Sequence, residues 1–164
     1  SRADIKWTPT KKKNINLIGI SRAMKYLHSR NVIHRDLKPE NILTNENYYP
    51  RVCDFGLSRF FSEKIINSRK LTMIGQIGTP LYMAPELFEE EWHYGPDVDV
   101  YVFSMLAYEI VSGETPFNEL GNISPVSLGV KVASGYRPPI PESVPTKIAA
   151  LIIRCWSHKA EDIR

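Results

Sequence analysis

The chain has 164 residues, 43% hydrophobic and 24% charged, with a net charge of +3, too small to argue for nucleic acid as a partner. One domain of this length buries about 68–70% of its unfolded surface, enough for a real core. Cys53 and Cys155 are the only cysteines, which excludes a disulfide scaffold and favours a reducing intracellular, cytoplasmic setting. The longest apolar run, Val98 to Val111, is broken by Asp99 and Glu109 and is too short to span a bilayer, so no membrane partner is expected.

Residues 1 to 7 carry no pattern. Thr8-Pro9 then reads as an N-cap followed by proline at the first helical position, and Leu17, Ile20, Met24 and Leu27 recur at helical spacing. A helix with one buried stripe is predicted through about His28. Lys11-Lys12-Lys13 falls on its first turn and, with no aromatic residues interleaved, reads as solvated surface. Val32-Ile33, Ile42-Leu43-Thr44 and Arg51-Val52-Cys53 are short strand candidates, the last two joined through the polar turn Asn45-Glu46-Asn47. They are expected to form one small ribbon in a chain that is otherwise mainly α.

Between the first two strands lies His34-Arg35-Asp36-Leu37-Lys38-Pro39-Glu40-Asn41, which brings a base, a cation and a metal ligand into eight residues. Asp36 can orient a hydroxyl and accept its proton, Lys38 can neutralise phosphate charge as it shifts, and Asn41 offers an amide oxygen to Mg²⁺. Thirteen residues after Asn41 comes Asp54-Phe55-Gly56, where a second oxygen ligand precedes a glycine that lets the chain turn sharply. The ribbon would hold Asn41 and Asp54 rigidly enough to reach the same Mg²⁺-nucleotide.

A second helix is predicted near Pro85 and a third near Asp97, where Val100, Phe103, Ala107, Ile110 and Val111 are apolar almost all round and predict full burial. Asp99, near the start of that helix, is favoured there by the macrodipole. Gly113 to Phe117 ends the helix; residues 118 to 129 read as a polar loop, and a short helix is predicted around Val130 to Ser134. The four prolines of "GYRPPIPESVP" make an extended surface segment, more readily than a polyproline ligand for a binding domain. The last helix ends in Arg154-Cys155-Trp156 and should bury Ile148, Leu151, Ile152 and Cys155.

The eight-residue loop, Asp54-Phe55-Gly56, Gly78-Thr79-Pro80 and Ala84-Pro85-Glu86 stand in the order and at the separations of the protein-kinase signature set, so the chain resembles a eukaryotic protein kinase. "RPPIP" followed by a helix ending in Arg-Cys-Trp is similar to the tyrosine-kinase-like branch of serine/threonine kinases. The resemblance makes residues 1–164 a partial protein kinase domain, with a catalytic loop at 34–41, an activation segment at 54–86 and C-terminal helices over 97–157. It implies that Asp36 and Lys38 are catalytic, that Lys38, Asn41, Leu43 and Asp54 bind ATP with Leu43 beneath the adenine, and that Asn41 and Asp54 hold Mg²⁺. Arg35 would receive a phosphate placed on the activation segment by an upstream kinase, with Thr72 and Ser68 as preferred acceptors. Thr79 would line the acceptor pocket and contact Asp36 and Lys38, and with Lys38 it points to a protein substrate bearing a serine or threonine hydroxyl.

His34, Phe55, Gly56, Glu86 and Asp99 would be structural. The family counterpart of Asp99 is a buried carboxylate accepting hydrogen bonds from the backbone of the catalytic loop, an alternative to the macrodipole reading. The counterpart of Glu86 pairs with an arginine; in direct register that position is Ile163, Arg164 stands one residue late, and Ala160 replaces the expected proline. The glycine-rich loop, strand lysine and helix glutamate of the family are not among the 33 residues before His34. The resemblance therefore covers the larger lobe, with the small lobe missing and expected in cis or in trans. The implied function is a serine/threonine kinase core that is inactive as an isolated chain. The alternative is a kinase-like module that docks other proteins through its open cleft and catalyses nothing.

Overall fold

The structure, a computed structural model, describes residues 8–60, 80–88 and 95–157. Helix α1 runs Pro9–Ser29; the Thr8 hydroxyl accepts from the Lys11 N–H, and Pro9 occupies the first turn, where its missing N–H costs nothing. Ile20 and Met24 are buried and Leu17 and Leu27 pack partly against the core, as the 3.6-residue spacing requires.

Helix α2 (Pro96–Ser112) is the centre of the molecule, packed against α1, α4 (Thr146–Cys155) and the 3-10 turn Pro80–Tyr82. Val98, Tyr101, Met105, Leu106, Ala107 and Tyr108 all lie within the core. The expectation of full burial is too strong, because Val100, Phe103 and Ile110 remain partly exposed. Gly113 closes the helix at φ 81°, a left-handed turn that a side chain would strain, and Lys13 reaches from α1 to donate to the Val111 carbonyl at 2.7 Å. That contact gives the negative end of α2 a cation and pins the two helices together.

Three further expectations change. The strands do not form one ribbon. β1 (Val32–Ile33) pairs antiparallel with β4 (Arg59–Phe60), while β2 (Ile42–Thr44) pairs with β3 (Pro50–Val52) in the register Ile42–Val52, Leu43–Arg51, Thr44–Pro50. The left-handed residue Arg35 (φ 72°) and the 3-10 turn Pro39–Asn41 redirect the chain between β1 and β2, so the edge of β1 is taken by a segment that returns later. Near Pro85 the described residues form only a 3-10 turn, Pro85–Phe88. Helix α3 spans Pro125–Ala133, starting five residues before the prediction, because Ser124 caps it by accepting from the Ser127 N–H and Pro125 opens it.

In α4, Ile152 reaches the core and Ile148 and Cys155 are half-buried, but Leu151 is 48% exposed. It borders an apolar groove of about 340 Å³ between α1, α2 and α4, and Trp156, just after the helix, supplies the burial instead. The β2–β3 hairpin is seated on α1 at Gly19, where an added Cβ would overlap the Pro50 ring. No helix among the described residues is long and apolar enough to cross a membrane.

Candidate active site

β1 delivers the chain to His34, and β2 carries it away after Asn41, so the eight-residue loop is held at both ends. Between them the backbone is unusual. Arg35 has φ 72° and Asp54 has φ 62°, conformations that cost about 1–3 kcal/mol each for residues with a side chain and persist only where surroundings impose them.

For Arg35 the imposing group is Asp99. Its carboxylate is 1% exposed and receives three donors: the His34 N–H at 2.8 Å and His28 Nε2 at 2.9 Å on Oδ2, and the Arg35 N–H at 3.0 Å on Oδ1. A carboxylate with that many donors is not an uncompensated buried charge. The sequence left open whether Asp99 serves the helix start or the catalytic loop; it lies in the first turn of α2 and its side chain is hydrogen-bonded to the loop backbone.

His34 is buried and fixes the loop from within. The Cys53 carbonyl can only accept, so His34 Nε2 at 3.1 Å carries the hydrogen, and Nδ1 accepts the Asp36 N–H at 3.3 Å. The imidazole thus spans the backbone before Asp36 and the backbone before Asp54, and its ring lies 5.1 Å from that of Phe55. The Ser58 hydroxyl donates to the His34 carbonyl at 3.3 Å.

Asp36 is 8% exposed, and its Oδ2 receives Lys38 Nζ at 3.0 Å and Asn41 Nδ2 at 3.1 Å. Asn41 Nδ2 also donates to the Asp36 carbonyl at 2.7 Å, which leaves the amide oxygen as the atom turned to other ligands. Oδ1 of Asp36 takes neither the lysine nor the asparagine contact. The Asn41 carbonyl in turn accepts the Cys53 N–H at 2.9 Å and the Cys53 thiol at 3.2 Å. Asp54 follows directly and is exposed, with its Oδ1 accepting from the Gly56 N–H at 3.2 Å. Asp36, Lys38 and Asn41 form one cluster, and Asp54 is tied to it through the backbone of Cys53.

Leu43 and Phe55 are 59% and 48% exposed, an apolar pair left open to solvent on the loop and its neighbouring strand. The turn Pro80–Tyr82 reaches α2 through a hydrogen bond donated by the Tyr82 hydroxyl to Glu109. Burial, then the Glu109 carboxylate, hold that phenol well above its ordinary value. Glu86 is partly exposed and near enough to buried Tyr101 to raise its phenol, an effect smaller than that of burial itself and opposed by Arg137. Ser68, Thr72, Thr79 and Arg164 lie outside the described residues.

Sequence reasoning missed His28 and the Tyr82–Glu109 bond, and it placed Ser58 in the activation segment without its bond to the His34 carbonyl. Ser58 sits just after a recognisable motif and had a local signal. His28 and Asp99 are 71 residues apart, and nothing local announces their contact.

Chemically, the cluster places a buried carboxylate beside a fixed ammonium, with two oxygen ligands suited to a hard cation close by. The protein kinase domain family model matches residues 5–162. The chain is 39% identical over 135 residues to the dual specificity protein kinase shkB of Dictyostelium discoideum, covering 82% of this chain and 20% of that protein. It is 41% identical over 140 residues to a probable LIM domain-containing serine/threonine-protein kinase of the same organism, covering 85% of this chain and 14% of that protein. A putative serine/threonine-protein kinase/receptor of Acanthamoeba polyphaga mimivirus is 37% identical over 159 residues, 96% of this chain and 9% of its own length. The chain thus spans a fifth or less of the length of these relatives, and it belongs to the protein kinase domain family.

Proposed function

We propose that this chain is the larger lobe of a serine/threonine protein kinase of the tyrosine-kinase-like type, transferring the γ-phosphoryl of ATP to a protein hydroxyl. The observation that carries the reading is the cluster of Asp36, Lys38 and Asn41 on a loop held from both sides. Asp36 orients the acceptor hydroxyl and takes its proton on Oδ1, the oxygen that neither Lys38 nor Asn41 occupies. Lys38, kept 3.0 Å from Asp36 Oδ2, offsets charge on the phosphoryl as it passes.

The donor set fits Mg²⁺. Asn41 Nδ2 is bonded to Asp36, leaving its oxygen for a cation, and Asp54 presents an exposed carboxylate. No group of three His, Cys, Asp or Glu side chains capable of holding a metal occurs among the described residues, and Mg²⁺ needs none, since it relies on one or two carboxylates together with substrate phosphates. Bound there, the ion neutralises phosphate charge. Leu43 and Phe55 supply apolar surface for the nucleotide and for a small lobe contributed in cis or in trans. Arg35 receives the phosphate of an activation segment modified at Thr72 or Ser68, and Thr79 lines the acceptor pocket.

The relatives named as serine/threonine kinases support the choice of hydroxyl, and the dual specificity relative supplies its sharpest test. The full-length protein carrying this chain, given γ-labelled ATP, Mg²⁺ and a mixed protein acceptor, is expected to yield labelled phosphoserine and phosphothreonine. Phosphotyrosine alone would refute the serine/threonine assignment. The second reading, a docking module without catalysis, rests on the exposed Leu43 and Phe55, and it predicts no label at all.

A further inference from the structure

Glycine weakens a helix interior relative to alanine, so Gly129, in the middle of α3, runs against local preference. Its surroundings account for it. Gly129 is buried with Leu128 and Val132, and an added Cβ would overlap Cδ1 and Cε1 of the Phe88 ring. The missing side chain is a socket, and Phe88, the last residue of the turn Pro85–Phe88, fills it. An aromatic ring has no flexible end that could give way to a methyl group. The segment that Phe88 closes is stiff. The Met83 N–H donates to the Pro80 carbonyl at 3.3 Å and the Leu87 N–H to the Ala84 carbonyl at 3.0 Å, and Tyr82, Met83, Ala84 and Pro85 are buried. It is anchored at two points, by the Tyr82 hydroxyl on Glu109 of α2 and by Phe88 on α3. Glu40 of the eight-residue loop adds to the rise of the Tyr82 phenol, behind burial and Glu109, so the segment runs past the loop that carries Asp36.

From this geometry, and resting on the kinase reading above, we infer that Gly129 is a positioning residue for the protein acceptor. Its bare backbone lets the Phe88 ring seat, and the depth of that ring sets where residues 80–88 stand relative to the catalytic loop. The acceptor chain lies between that segment and Asp36, so a displaced Phe88 shifts the acceptor while the nucleotide side, built on Asn41, Leu43 and Asp54, stays in place. Gly129 itself touches neither acceptor nor nucleotide in this account.

The test uses the full-length protein with Gly129→Ala, which blocks the socket, Phe88→Leu, which leaves it part empty, and the two changes together, which restore the fit. Two readouts are taken. In steady-state transfer to one protein acceptor, each single change is expected to raise the acceptor KM, about tenfold for Gly129→Ala, with KM for ATP nearly unchanged. The double variant is expected to return to within about twofold of wild type, the non-additivity that a shared contact requires. In hydrogen exchange, the Met83 and Leu87 amides are expected to exchange about tenfold faster in Gly129→Ala and near the wild-type rate in the double variant, while the His34 and Arg35 amides stay unchanged. If Gly129→Ala does not fold alone, the same rescue is read between Phe88→Leu and the double variant. An acceptor KM that stays at the wild-type value in the single variants overturns the inference. So does a double variant no better than either single change, or a loss of kcat that follows thermal stability with both KM values unmoved, because that is a purely structural role. A wild-type protein that transfers no phosphoryl refutes the kinase reading instead, and the exchange rates still decide whether the Gly129 socket positions residues 80–88.

Discussion

Replacing Asp99 with asparagine removes a charge and changes almost no volume, which makes it the cleanest probe of how the loop is held. The carboxylate satisfies three donors with two oxygens. An asparagine has one oxygen and one NH₂ group, and either orientation presents hydrogens to at least one N–H. The less costly choice keeps the oxygen on His34 N–H and the His28 ring and leaves the Arg35 N–H unpaired, at about 1–3 kcal/mol. The two surviving bonds lose their charge assistance, at roughly 1 kcal/mol each. Together the change is about 3–5 kcal/mol, a large share of the 5–15 kcal/mol typical of a domain. Urea unfolding followed by circular dichroism should show an unfolding free energy in water lowered by that amount, seen as a lower midpoint with an unchanged slope. A double-mutant cycle with His28→Phe should give a coupling of about 1–2 kcal/mol, since both changes act on the same oxygen. An Asp99→Asn protein within about 0.5 kcal/mol of wild type would refute the reasoning, because it would mean the three contacts contribute little to the fold.

Gly19→Ala puts a methyl into the Pro50 ring and forces α1 away from the β2–β3 hairpin, so it is expected to destabilise by about 1–3 kcal/mol, read as a lowered thermal midpoint. Tyr82 sets a pH dependence. Its phenol is held above the ordinary value of 10.0 first by burial and then by Glu109, so above pH 10.0 the unfolded chain releases a proton that the folded chain keeps. The contribution is therefore fully present below that pH and is lost as pH rises toward the folded value. Urea midpoints at pH 8 and pH 10.5 should fall less for Tyr82→Phe than for wild type, and equal slopes would remove Tyr82 from the account.

The loop cluster was legible in the sequence because its parts are local: eight consecutive residues carry the carboxylate, the ammonium and the amide that the structure brings together, and Asp54 follows at a fixed spacing. α1 was legible from Thr8-Pro9 and the Leu17, Ile20, Met24 and Leu27 stripe, since capping and helical periodicity are also local. Strand pairing was not. Val32-Ile33 and Ile42-Leu43-Thr44 look alike as two- and three-residue apolar runs, and only the turn imposed at Arg35 and Pro39–Asn41 decides that they do not pair.

Leu151 shows a different limit. Its spacing with Ile148, Ile152 and Cys155 marks an apolar face but does not say how much of that face another element covers, and here it borders an open groove. The start of α3 was a misjudged signal, since Ser124-Pro125 is the same cap-and-proline pair that was read correctly at Thr8-Pro9. His28 had no signal at all, because its partner lies on another helix.

The measurement that bears most directly on the central claim is single-turnover phosphoryl transfer by the full-length protein, wild type beside Asp36→Asn, with ATP affinity measured in parallel. The account predicts a loss of transfer of about a thousandfold or more in Asp36→Asn, combining a lost general base with a disturbed Lys38 contact, while ATP affinity changes little. Transfer at the wild-type rate by Asp36→Asn would contradict it.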